Sequence, residues 1–337
     1  GADLPEVRRL DLAEVVLTLK ASGADDLRRF RWLEAPNETA LATAEELLCD
    51  LGGLRLSKGS GSGSGSDQDA STPAMITDLG RRMLAFPVHP RYSRMLIAAG
   101  EHGCVRQACL VAALTQGRDL LMARAGKEVE SLRVDIFGDT HRSDFWLLIG
   151  AWEYVANSRF DPDTLRQLGV HGVTARQVGP LFEQFLRIAR DQGLDVETHS
   201  GSREALEKCI LIGFSDRVAR RMDAGTRRCE LVHNRRGVLG NESRVRDSPL
   251  LVAAEIREVG GRGSEVQTFL SLATGIESAW LGQLFPEELR SEVRAEFDAV
   301  TRRVRANEVL VFRGLVVESL PVVPPPADSS ARVLAEE

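Results

Sequence analysis

The sequence contains no long hydrophobic run. Nowhere in its 337 residues does an apolar stretch approach the roughly 20 needed to cross a bilayer, so no membrane partner is expected. No signal-peptide pattern opens it, and a cytoplasmic location is expected. The five cysteines are an odd number with no CxxC spacing, which suits reduced thiols better than a disulfide framework or a zinc site. Cys104 and Cys109 fall on a helical apolar pattern and are expected in a core. Aromatic residues make up only 5%, which leaves few platforms on which bases could stack. Nucleotide-handling motifs are missing too. Gly126-Lys127 is followed by Glu128 and position 121 is Leu, so there is no G-x-x-x-x-G-K-[ST] loop. No DExH run is present to hold Mg²⁺ and position a water. HExxH and GxSxG are absent and the six His are scattered, with His89 reading as a packing or capping residue. The glycines from Gly260 to Gly263 lack the sixth-position glycine of a dinucleotide loop and read as a hairpin turn. No catalytic residue is assigned, and the chain is expected to be inactive as an enzyme on its own.

What is present is globular. A hydrophobic content of 43% with 27% charge suits folded domains, and the length suggests two or three of them. The net charge of −6 argues weakly against a nucleic-acid binder, but its distribution argues the other way. Between Arg203 and Arg246 eleven Lys/Arg face six Asp/Glu, a local +5 that could hold phosphates. A solvated strand face is the alternative reading.

Local patterns give the organisation. Asp11 with Glu14 resembles a capping box for a helix whose stripe is Leu12, Val15, Val16 and Leu19, closed at Gly23. A second helix follows Pro36-Asn37 and stops at Gly52-Gly53, with Leu54 and Ile76 as candidate wing strands. Between these strands, Gly59–Ser66 is four Gly-Ser dipeptides, a flexible composition that fits an engineered loop replacement or a natural low-complexity insertion. Pro87 and Pro90 bracket an elbow, since proline in a helix's first turn gives up no hydrogen bond. From Pro90 to about Gly201 the periodicity is helical. The most regular helix follows Val173, with Val178, Leu181, Phe182, Phe185, Ile188 and Ala189 on one side and Arg176, Glu183, Arg187 and Arg190 on the other. After Arg203 a short helix gives way to β-rich runs at 217–221, 229–232, 250–259, 266–276 and 309–317. Turn signals at 223–225, 234–237 and 260–263 separate them, and a helix at 277–284 interrupts. Five or six strands with one late helix suit a small barrel such as an OB fold.

Several of these stretches resemble a known family. Leu79-Gly80-Arg81-Arg82-Met83, Phe86-Pro87 and Pro90 to Leu96 are similar to the "LGxxMAxFPLDPxLAKML" run of DEAH-box RNA helicases, where a winged helix meets a helical ratchet domain. Pro5 to Arg9 with Leu12 to Leu17 resembles the opening of the same module. Ser143 to Leu148 with Ala151-Trp152, and Ala175 to Val178 with Glu183 to Leu186, resemble two ratchet helices. Val252 to Glu258, Leu270 to Glu277, Trp280-Leu281, Phe285-Pro286, Phe297-Asp298 and Val311 to Glu318 are similar to the OB region of bacterial HrpB-like helicases.

The resemblance implies an α+β multidomain chain. It would comprise a winged helix (1–86), a helical ratchet domain (87–202), an OB-fold β-barrel (203–320) and a flexible tail (321–337). It implies the C-terminal accessory half of an ATP-dependent helicase, with ATP and Mg²⁺ confined to the parent's motor domains and no cofactor here. Expected partners are single-stranded RNA, the parent's RecA-like domains and a regulatory protein. A docking platform with little RNA binding of its own is the alternative. Arg176, Gln177 and Arg187 take an RNA-facing role from the resemblance. Arg217, Arg220, Arg221, Arg235 and Arg236 are chosen from the charge cluster, with backbone contact expected over base readout.

Overall fold

A computed structural model describes residues 11–56, 74–138, 141–198, 201–261, 264–298 and 303–326. The chain forms two compact units: residues 1–122 with 152–216, and residues 123–151 with 217–337. The Gly-Ser tract at 59–66, the family-like stretch Pro5 to Arg9 and residues 327–337 of the expected tail lie outside the described residues.

The first unit opens with α1 (Ala13–Ala21) and α2 (Glu38–Asp50), then an antiparallel pair, β1 (Leu54–Leu56) and β2 (Ala74–Ile76). Asn37 caps α2 by accepting the Thr39 N–H at 2.9 Å, so this helix starts where Pro36-Asn37 placed it. No capping box forms on α1. Leu12 is its N-cap, and Asp11 accepts the Ala13 N–H while its other oxygen bonds His89. Leu41, Ala44, Leu47 and Leu48 of α2 are buried, as their period requires, whereas the α1 region buries Leu12, Ala13, Val16 and Leu17 and leaves Val15 exposed and Leu19 half-buried, so its expected stripe is shifted round the helix. α3 (Asp78–Met83) passes so close to the β1 region that a Cβ at Gly80 would collide with the Gly53 carbonyl.

Beyond the elbow come α4 (Pro90–His102), α5 (Val105–Leu114), α8 (Pro162–Gln167), α9 (Gly172–Asp191) and α10 (Arg203–Gly213). α6 (Lys127–Phe137) and the first half of α7 (Asp144–Asn157) count with the second unit. Cys104 and Cys109 are buried as expected, the former with its Sγ 3.5 Å from that of Cys209. His89 caps α4, accepting the Arg91 N–H, and lies 2.9 Å from Asp11. Beside it Arg91 is buried. Its guanidinium grips Asp216 through Nε–Oδ1 (3.0 Å) and Nη2–Oδ2 (2.7 Å), and reaches Asp11 at 3.2 Å. These two carboxylates hold the Arg91 proton more tightly against the cost of burial, and the His89 and Arg91 contacts draw the Asp11 carboxyl well below its ordinary range.

The second unit holds a closed five-stranded barrel of β3 (Val218–Arg221), β4 (Arg228–Leu231), β5 (Arg235–Leu239), β6 (Leu250–Gly261) and β7 (Ser264–Ile276), in the order β3-β4-β5-β7-β6. All pairs are antiparallel except β5–β7. Ala219, Cys229, Leu231, Leu239, Leu251, Ala253, Leu270 and Ala273 fill its interior. After α11 (Ser278–Leu284), β8 (Leu289–Asp298), β9 (Arg303–Phe312) and β10 (Leu315–Val322) form a separate antiparallel sheet. Five or six strands were expected after residue 203. The described residues contain eight, because 235–239 is a strand rather than part of a turn, 289–298 is a strand, and 309–317 spans two. The turn signal at 234–237 falls one step late: His233 and Asn234 carry the positive φ, and Arg235 already pairs with Leu231. Pro321 and Val322 lie in β10, so the first two residues of the expected tail are strand.

Asp144, at the start of α7, is half-buried against the barrel. It accepts the backbone N–H groups of Arg244 (2.6 Å) and Ala273 (2.7 Å) and the Ser243 hydroxyl (3.2 Å). Burial outweighs these three donors and pushes its pKa up to about 6 from 3.8.

Two outcomes are expected. Arg91→Met leaves the Asp216 carboxylate buried without its cation and should lower the unfolding free energy of the first unit by about 3–5 kcal/mol, with Arg91→Met/Asp216→Asn recovering part; urea titration measures both. The raised carboxyl of Asp144 means its contribution is whole below pH 3.8 and is lost as pH rises through about 6. Denaturation between pH 4 and 7 should show wild type losing up to about 3 kcal/mol relative to Asp144→Asn.

Candidate nucleic-acid interface

The residues chosen on α9 lie on its outer side. Val178, Phe182, Phe185, Leu186 and Ala189 bury one stripe, which leaves Arg176, Gln177 and Arg187 exposed. Arg176 is held in place: its guanidinium donates to the carbonyls of Gly172 and Phe160, each at 3.1 Å, and lies 5.7 Å over the Phe160 ring. Gln177 lines a cavity of about 330 Å³ with Ala113, Leu114, Thr174, Val178 and Leu181.

The five arginines chosen from the charge cluster meet different fates in the second unit, because a strand sends alternate side chains to opposite faces. Arg221 is buried. Its guanidinium donates to the carbonyls of Ser248, Thr226 and Val245, satisfying three backbone acceptors that water cannot reach freely. It cannot also meet RNA, and its assignment is corrected to a structural one. Arg217 is half-buried, with a guanidinium donor on the Ala254 carbonyl. Arg220, Arg235 and Arg236 reach the surface: Arg220 is half-exposed and the other two are exposed. Arg235 leans back on the Val232 carbonyl at 3.4 Å.

On β4, Cys229 and Leu231 point into the core, so Arg228 and Glu230 point out. Register places Arg220 beside Glu230 and Glu230 beside Arg236. Arg220 donates to Glu230 at 2.9 Å, while its Nε is buried without a hydrogen-bond partner. The outer face of β3–β4–β5 therefore carries Arg220, Arg228 and Arg236 around one carboxylate. Phosphates are what such an array suits: three guanidinium groups with spare donors, sequence-neutral and sensitive to salt. Arg228 escaped the sequence reading, although the alternation through Arg228-Cys229-Glu230-Leu231 carries the signal. Arg257 of β6 is also exposed and pairs with Glu255 at 3.1 Å.

Among the described residues no group of three or more His, Cys, Asp or Glu could hold a metal, and no helix is long and apolar enough to cross a membrane.

Comparison with known proteins finds likeness over both the helical region and the barrel. Residues 89–146 match the helicase associated domain (HA2), ratchet-like. The chain is similar in sequence to RNA helicases and has the fold of the HrpB C-terminal region. It is 24% identical over 287 residues to the human probable ATP-dependent RNA helicase DHX35, covering 84% of this chain and 38% of that protein. With the ATP-dependent RNA helicase HrpA of Escherichia coli K12 it shares 24% identity over 216 residues, 62% of this chain and 16% of HrpA. The solved structure of the E. coli DExH-box NTPase HrpB superposes with a TM-score of 0.60 at 19% identity, over 98% of this chain and 33% of HrpB. The chain thus spans well under half the length of these relatives.

Arg221→Met should cost the barrel about 3 kcal/mol by stranding buried carbonyls. A lowered melting transition in thermal denaturation is the expected result.

Proposed function

We propose that this chain is the C-terminal accessory region of an ATP-dependent DEAH-box RNA helicase. It works in the cytoplasm and grips single-stranded RNA beside RecA-like motor domains that supply ATP and Mg²⁺. The observation that carries this reading is the outward array of Arg220, Arg228 and Arg236 on the barrel, in a chain homologous to helicase accessory regions. The strand order, with a single parallel pair between the third and fifth barrel strands, supports reading the barrel as an OB fold, whose outer face commonly takes single strands. Arg176, Gln177 and Arg187 on α9 are proposed as a second, polar contact with the same strand. Catalysis is assigned to the motor, and these side chains hold phosphates while it moves them.

Glu230 limits the grip. As the carboxylate between Arg220 and Arg236 it competes with phosphate for both, and the Arg220–Glu230 pair, about a third exposed, is itself worth no more than about 1 kcal/mol. RNA can displace it at little cost.

The second reading, a docking platform for the motor domains or a regulatory protein, is favoured by one observation. In the α1–α2 connection Leu33 is fully exposed and Phe30 partly so, the latter in edge-to-face contact with Trp32 at 5.1 Å.

Fluorescence anisotropy of a labelled single-stranded RNA against salt separates the two. Arg228→Glu/Arg236→Glu should weaken binding at low salt by about tenfold or more and flatten the salt dependence. Glu230→Gln should tighten it by a few fold. Absence of binding at low salt, or indifference to all three substitutions, would leave docking as the function.

A further inference from the structure

The low aromatic content leads one to expect that RNA would be held by its backbone alone. The register of the barrel puts one aromatic ring where a base could use it. Leu239 and Leu270 pair across the parallel β5–β7 seam, and both lie in the core. Their neighbours Val238 and Phe269 pair one residue earlier, so by the pleat they face outward. Both are half-buried. The same row continues on each side: Val238 pairs with Arg228 on β4, and Phe269 pairs with Arg257 on β6. Arg236 lies two residues before Val238, on the same face.

We propose that Phe269 is the stacking residue of this face, its ring taking a base of a bound single strand while Arg228 and Arg236 on one side and Arg257 on the other hold the flanking phosphates. The proposal rests on the RNA-gripping reading and deepens it. Adjacent strands stand about 4.8 Å apart, so Arg257 is one strand from Phe269 and Arg228 two, within reach of a long guanidinium stem and a nucleotide between them. Every base has a π face, so such a contact adds affinity without choosing a sequence. Val238 beside the ring extends the apolar floor, and Glu255 draws Arg257 back at 3.1 Å when no phosphate is present. An apolar ring ringed by arginines differs from an ordinary patch of barrel surface in this respect. Its half-buried state keeps the side chain ordered before the base arrives, which lowers the entropy lost on binding.

The test uses the full chain with two labelled probes, a twelve-residue oligouridylate and an abasic ribose-phosphate oligomer of equal length. Phe269→Leu keeps apolar bulk on the strand and removes the π face. It should weaken oligouridylate binding about tenfold, leave the abasic oligomer unchanged, and keep the same salt slope. Phe269→Trp should bind oligouridylate at least as well as wild type. Equal effects of Phe269→Leu on both probes, or a lowered melting temperature with unchanged affinity for oligouridylate, would overturn the stacking role and leave the backbone grip standing. Wild type that binds neither probe would overturn the RNA-gripping reading, and the stacking role with it.

Discussion

A side chain on a closed barrel strand has two addresses, the interior or the outer face, and the pleat assigns them in turn. That constraint governs everything the second unit does. Arg220 and Arg221 are neighbours in sequence with the same charge, yet one lies at the surface beside Glu230 and the other is buried under three carbonyls. The buried cation stabilises loops; the surface one is available to a ligand. Because strands pair in register, the outward residues of β3, β4 and β5 also align into rows, which turns scattered arginines into an array. Removing the alternation would leave the same composition with no site.

The first unit relies on a different device. Arg91 follows the elbow proline and ties the segment before α1 to the residues after α10 through two carboxylates. A buried ion pair of this kind adds little net stability compared with apolar packing, but it is costly to break. It therefore fixes where three distant stretches of chain meet. His89 contributes to the same junction by capping α4 and bonding Asp11, so the elbow is held by charge as much as by proline geometry.

Much of this was legible in the residues. Helix α2 follows from its cap and apolar period, α9 from its apolar period, and β3, β4, β6 and β7 from β-rich runs between turn signals. What escaped has physical reasons. Arg235 to Leu239 contains a glycine and two arginines, and its strand character comes from pairing with β4 and β7 rather than from propensity. In β8 Leu289, Val293 and Phe297 recur every four residues, as on a helix face, and only its partner β9 decides the matter. A count of charge marks the stretch from Arg203 to Arg246 but does not say which of its arginines face out. Arg221 was chosen for its charge and lost to its burial. Arg228 was passed over although Cys229 and Leu231 beside it pointed the way. Phe269 is followed by Leu270, and two adjacent apolar residues do not reveal which one faces solvent.

The parallel seam between β5 and β7 is the shortest ladder in the barrel, with two residue pairs against ten between β6 and β7. Cooperative structures open first where fewest bonds must break together. The Gly240 amide, which donates to the Leu270 carbonyl at 2.8 Å across that seam, is thus among those a native-state exchange experiment would find least protected within the barrel. A strand of RNA lying over Arg236 and Phe269 would straddle that gap like a suture, and its arrival would slow the opening of the very joint it crosses.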